Sequence, residues 1–305
     1  MTIMSPAARR PRRAAERWAP YVFAAGAALY LLVFMAGPLL KGVWLSFTDA
    51  RLLNPDAGEP IGIDNYRTLL TGTGFYHTLL VTLAYSAATV VGSLVLGTLG
   101  AIVLNRPFRG RALARAVLAL PWAAPTVAVT LILVWILNND SGILNRVTGA
   151  AGLGRHGWLT DPALALPVVI AVSIWKVFPF VLLVVLAALQ AVPADLWESA
   201  RVDGAGPATI FRRITLPFLM PTLRVVALLM TIWSFRRFEI IWLLTQGGPV
   251  DTTNTLVIDV YREAFINSDL GMSAATGTVG LLLSVLATAA YAAVERRAAA
   301  KAEAA

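Results

Sequence analysis

Among the ionisable side chains inside apolar runs, where charge is costly, four stand out as residues with chemistry to offer. Lys176 is one; Arg236, Arg237 and Glu239 share the stretch Trp233-Ser-Phe-Arg-Arg-Phe-Glu-Ile-Ile-Trp242. At the centre of a bilayer each charge costs roughly 2.5 to 3.5 kcal/mol by insertion scales, so something must offset it. On an unbroken helix Arg236 and Glu239 stand three apart and can pair on one face, whereas Arg237 points about 100° away and needs another partner or water. Trp233, Phe235, Phe238 and Trp242 alternate with these charges, and flat rings beside hydrogen-bonding groups suit a ligand with apolar C–H faces and a polyhydroxyl rim. Aromatics also pack helices, so two readings stand: a solute pathway of Lys176, Trp233, Arg236, Arg237 and Glu239, or an internal structural pair.

Other chemistries lack their residues. There is no cysteine, hence no disulfide framework and no thiolate metal site, and only two histidines, His77 and His156, far apart in the chain. No metal site is expected. The sequence has no G-x-x-x-x-G-K-[ST] phosphate loop, no H-E-x-x-H and no apparent Ser-His-Asp set. The formal charge of +8 comes from arginines in short loops rather than from a nucleic-acid-binding surface, so no nucleic-acid partner is expected.

The elements that must position the four charges are membrane spans. The 305 residues are 58% hydrophobic and 14% charged, with a mean hydropathy of +0.71, and the apolar residues come in runs of about 20, the length that crosses roughly 30 Å of hydrocarbon. Six runs are expected to span the bilayer: 19–46, 77–104, 115–137, 164–190, 218–244 and 273–294. They sit between a basic tail, 1–18, and a C-terminal tail, 295–305. Arg9, Arg10, Arg12, Arg13 and Arg17, then Arg106, Arg109, Arg111 and Arg115, then Arg201, Arg212 and Arg213, then Arg296, Arg297 and Lys301 fall on one side, which reads as cytoplasmic. Both termini are therefore expected there. Pro38, Pro121, Pro125, Pro167 and Pro179 lie in or at the ends of spans, where each removes a backbone donor that must be compensated. Ser273, Ala274, Ala275, Gly277 and Gly280 open the last span with small side chains that permit close helix packing.

Between the fourth and fifth runs, 194–217 reads as two short helices. Pro193 suits a first turn, Gly204 can take the left-handed conformation that ends a helix, and Pro207 can open a second helix that stops before Pro217. Ile210, Phe211 and Ile214 share a face at helical spacing, while Arg212 and Arg213 lie off it. Such an amphipathic helix needs a partner surface.

The run Glu198-Ser199-Ala200, then Asp203-Gly204, then Ile214 and Leu216-Pro217 resembles the "EAA" loop of binding-protein-dependent ABC importer permeases, with Ser199 where that family usually has Ala. Pro38 with Trp44-Leu-Ser-Phe47, Ile61-Gly-Ile-Asp-Asn65-Tyr66, Ile174-Trp175-Lys176 with Pro179-Phe180, and Leu244-Thr-Gln-Gly247-Gly248-Pro249 extend the likeness to the sugar-permease branch, the last run to its maltose-type, F-like half. The resemblance implies an all-α polytopic membrane fold of the type I importer class with a cytoplasmic coupling helix. It implies a transport subunit without an ATPase site or cofactor of its own, ATP and Mg residing on two ATP-binding cassette subunits. It also implies a second, different permease, an extracytoplasmic substrate-binding protein, and residence in a bacterial plasma (inner) membrane. The solute implied is a sugar or a sugar-like molecule such as an oligosaccharide or glycerol phosphate. An ion-coupled secondary transporter would show more spans and an internal repeat, and a polytopic membrane enzyme would need a catalytic set; neither is evident.

Overall fold

The computed structural model describes residues 14–56 and 58–303, so Arg9, Arg10, Arg12 and Arg13 lie outside the described residues. Helix α1 (Ala14–Leu31) passes through one π turn (Leu32–Ala36) into α2 (Gly37–Leu45). A loop leads to α3 (Asp64–Thr71) and then to α4 (Thr73–Asn105). Next come α5 (Arg111–Ala123), α6 (Thr126–Ile136), the short α7 (Ile143–Ala150) and α8 (Ala165–Gln190). The loop helices α9 (Ala194–Val202) and α10 (Pro207–Ile210) precede α11 (Leu216–Phe235) and α12 (Glu239–Thr245). Finally α13 (Leu256–Tyr261) leads to α14 (Leu270–Glu303).

Among the described residues five helices are long and apolar enough to cross a membrane, or six crossings if α5 and α6, bent by 95° at their junction, count as one. The run 115–137, expected to be a single span, is therefore an elbow. Its cause is local: Pro121 and Pro125 stand four apart, so the carbonyl of Pro121 faces a residue with no N–H, and Ala124 leaves the helical conformation at ψ 147°. A second correction concerns 218–244, where the helix stops at Phe235 and restarts at Glu239.

The core forms where α4 lies along α8 and α11 closes over them. Ala101 and Leu104 of α4, Val181, Leu182, Val185 and Leu189 of α8, and Leu219, Val226 and Met230 of α11 are buried together. Gly97 sets the approach of α4 to α8: a Cβ there would stand 2.6 Å from Val181 Cγ1 and 2.9 Å from the backbone nitrogen of Leu182. In the last helix Ala275 is fully buried and a Cβ on Gly271 would stand 2.1 Å from the carbonyl oxygen of Thr48, whereas one on Gly280 would meet nothing within 4 Å. By contrast, none of the apolar window of the first span, Ala24–Leu45, is buried by this chain.

At the end of the bundle away from α9, polar contacts tie the loops down. Asn65 donates to the carbonyls of Ser46 (3.0 Å) and Thr48 (2.8 Å), and Arg51 pairs with Asp269 at 3.0 Å just ahead of α14. The segment after α12 is pinned to α4, where the Leu256 N–H donates to Thr82 Oγ1 at 2.9 Å.

Candidate functional site

A cavity of about 440 Å³ opens among the interrupted helices, lined by Trp122, Thr126, Lys176, Val177, Trp233, Arg236, Arg237, Phe238 and Glu239. Two of its walls are places where a helix breaks or bends, the α5–α6 elbow and the gap between α11 and α12, and the third is the continuous helix α8 at Lys176 and Val177. All five charged or aromatic residues expected on a solute pathway line it. Trp122, Thr126 and Val177 were not anticipated; the Pro121 and Pro125 pair was the signal that the third run must bend and present its broken end to something.

Lys176 has a defined task. It is 5% exposed, and its ammonium donates to the carbonyls of Pro121 (2.7 Å) and Ala124 (2.5 Å). These are carbonyls of the last turn of α5, and that of Pro121 lost its helical donor to Pro125, so the lysine supplies hydrogen bonds that the backbone cannot. The remaining charges are less committed. The expected pairing of Arg236 with Glu239 on one helix face does not form, because Arg236 already caps α11 (φ −102°, ψ 8°) and α12 begins afresh at Glu239; no ion pair among the described residues joins them. Arg236 and Glu239 are exposed to the cavity, and Arg237 is half-buried with its Nε lacking a partner.

Rings line and brace this space. Phe180 lies between Trp122 and Trp233, with centroids 5.7 and 5.1 Å away. Phe238 stacks on Trp242 at 5.6 Å, and Trp242 packs against Tyr261 at 4.5 Å, so Trp242 supports the wall from behind rather than lining it.

The loop between α8 and α11 has the punctuation its sequence announces at its first helix and departs from it at the second. Gly204 is left-handed at φ 78°, the Ala205 N–H donates to Ala200 O (2.9 Å), and the Gly204 N–H donates to Arg201 O (3.1 Å), the paired bonds of a glycine-ended helix. Glu198, Ser199, Asp203 and Gly204 are exposed, while Ala200, Ile210, Phe211 and Ile214 are half-buried. The second helix does not stop before Pro217. It passes through a π turn, Phe211–Thr215, in which the Leu216 N–H reaches Phe211 O, and continues as one helix of 29 residues, Pro207–Phe235. The wider turn accommodates the missing donor of Pro217, so Leu216 and Pro217 begin α11 instead of ending the loop.

Apolar spans, a mid-span cavity with charges and rings, and an exposed helical loop at one end define a multi-pass membrane transport protein. The profile of the binding-protein-dependent transport system inner membrane component family matches residues 66–300, and the chain belongs to that family. The trehalose/maltose transport system permease protein of Thermococcus litoralis is 33% identical over 267 residues, 87% of this chain and 90% of the relative. The sulfoquinovosyl glycerol transport system permease protein of Agrobacterium fabrum is 33% identical over 276 residues, 90% of each. A chain from the crystal structure of a bacterial ABC transporter that imports the acidic polysaccharide alginate superposes with a TM-score of 0.82 at 25% identity, covering 93% of this chain and 97% of that one. This chain is an all-α ABC importer permease of the inner membrane.

Proposed function

We propose that the chain is the permease subunit of an ATP-driven carbohydrate importer in which 194–217 is the ATPase-coupling loop and the cavity around Arg236 and Arg237 is the solute pathway. The observation that carries this reading is the continuity of Pro207–Phe235: one helix of 29 residues runs from the loop to the cavity wall, roughly 43 Å at 1.5 Å per residue. A push at Gly206 and Pro207 is delivered along this helix to Trp233, next to the break that begins at Arg236. Glu198, Ser199, Asp203 and Gly204 offer the exposed face for one of the two ATP-binding cassette subunits, which carry the ATP and Mg. The loop end is cytoplasmic, with both termini on that side, and an extracytoplasmic binding protein delivers solute to the opposite end.

The similar permeases are named for sugars and sugar derivatives, which supports a carbohydrate here. The cavity adds Trp122, Trp233 and Phe238 for sugar faces, and guanidinium in excess of carboxylate extends the class to acidic sugars and sugar phosphates. The unburied first span supports a second, different permease as the surface it packs on. Import by alternating access follows: loaded binding protein docks, the ATPases close, and the Pro207–Phe235 helix reorients the cavity outward.

The test is binding-protein-stimulated ATP hydrolysis in liposomes containing the full assembly, with a panel of neutral sugars, acidic sugars and glycerol phosphates. Gly204→Asp and Glu198→Ala assemblies are expected to form and to lose stimulation. Stimulation unaffected by both would remove the coupling role from this loop.

A further inference from the structure

Behind α9 lies a crevice of about 510 Å³ that the transport reading leaves unused. One wall is the last turns of α4, with Leu99, Ile102, Asn105 and Arg106; the other is the coupling loop, with Trp197, Arg201, Ile210 and Phe211. No carboxylate lines it, and neither the Arg106 nor the Arg201 side chain has an ion pair or hydrogen bond among the described residues. Its apolar side continues onto the bundle surface, where Leu99 is 54% and Val103 60% exposed. Two unpaired guanidiniums, an amide and an indole N–H thus stand above an apolar slot at the level where a 33-residue span leaves the hydrocarbon.

The two faces of α9 divide the work. Trp197 and Arg201, four apart, share the face turned to the crevice, while Ser199 and the 87%-exposed Val202 lie toward the opposite side and remain free for a protein partner. The crevice is therefore on the membrane side of the coupling helix. A phosphodiester matches the arginine pair by charge and hydrogen bonding, and an acyl chain matches the apolar wall, as in basic pockets between span ends that take anionic headgroups.

We propose that this crevice holds an anionic phospholipid of the cytoplasmic leaflet, its phosphate between Arg106 and Arg201 and its acyl chain along Leu99 and Ile102. The lipid props the coupling helix against α4, so coupling depends on the composition of the membrane. The proposal uses the reading of this end as cytoplasmic, but its primary measurement needs no transport. The complete assembly is purified in a mixture of phosphatidylglycerol and phosphatidylcholine, and the lipids it retains are weighed by native mass spectrometry. Preferential retention of phosphatidylglycerol is expected, falling about fivefold for each of Arg106→Gln and Arg201→Gln, and surviving Arg201→Lys. In nanodiscs of phosphatidylcholine alone, stimulated ATP hydrolysis should fall to the level of the double glutamine variant, which should itself ignore added phosphatidylglycerol. Equal retention of both lipids, or undiminished phosphatidylglycerol on the double variant, overturns the proposal. So does a photo-crosslink from position 102 that captures a protein subunit in place of lipid. Loss of stimulation with lipid retention intact would count against the coupling reading alone.

Discussion

The hydrogen bonds of Lys176 join two elements that no backbone bond connects. Replacing it with Met leaves the carbonyls of Pro121 and Ala124 without their donor in a buried setting, and destabilisation by about 2 to 3 kcal/mol is expected, read as a lowered unfolding midpoint in detergent. A different residue reports on pH. Asp259, outside the spans and packed between Asn254 and Arg262, has its carboxyl pushed above the usual carboxylate range by burial, with the Asn254 amide and the Arg262 guanidinium holding it back. The folded chain then keeps this proton to higher pH than the unfolded chain does, so stability falls as pH rises through the interval between the ordinary and the raised value. Melting curves of Asp259→Asn should lack that part of the pH dependence, since the amide cannot ionise and can still accept from Asn254. Lys176 and Glu239 were legible as charges in apolar runs; their partners were not, because a sequence shows that a charge must be offset without showing by what.

Among elements, the interface of α4 with α8 leaves little room for a larger side chain. Gly97→Val must displace Val181 or move the backbone at Leu182, and a loss of about 1 to 3 kcal/mol is expected by denaturation in detergent, with assembly impaired. Gly204→Ala meets no neighbour and carries only the cost of a left-handed residue, about 1 to 2 kcal/mol, concentrated in the loop. Its effect should appear in stimulated hydrolysis before it appears in the melting of the bundle. The end of α9 was readable because Gly204 and Pro207 act through local sterics. The elbow at Ala124 and the gap at 236–238 were hidden by hydropathy, which registers composition and is blind to direction, and Arg-Arg is no helix breaker in itself. Pro217 misled for the opposite reason: a local stop signal was absorbed by a π turn that depends on the helix continuing on both sides.

At the scale of the whole molecule, the first span is the unfinished part. Its apolar window is entirely unburied, with Tyr30, Phe34 and Leu40 each more than half exposed. A photo-crosslinking residue in place of Phe34 should capture the second permease in the full assembly, and the unfolding midpoint of this chain should rise with the concentration of that partner. Capture of lipid alone would show that the span faces the bilayer. Six apolar runs and the family loop made the membrane class and the order of elements legible, whereas which spans share a wall had to come from packing.

One ammonium ties the C-terminal end of α5 to the middle of α8, so these two are held together ahead of the elbow. Beside the cavity, the three residues 236–238 are the interruption between α11 and α12. On the function proposed above, the arginines that line the solute pathway sit at this break, so cargo held there bears on the point that the Pro207–Phe235 helix reaches from the loop end.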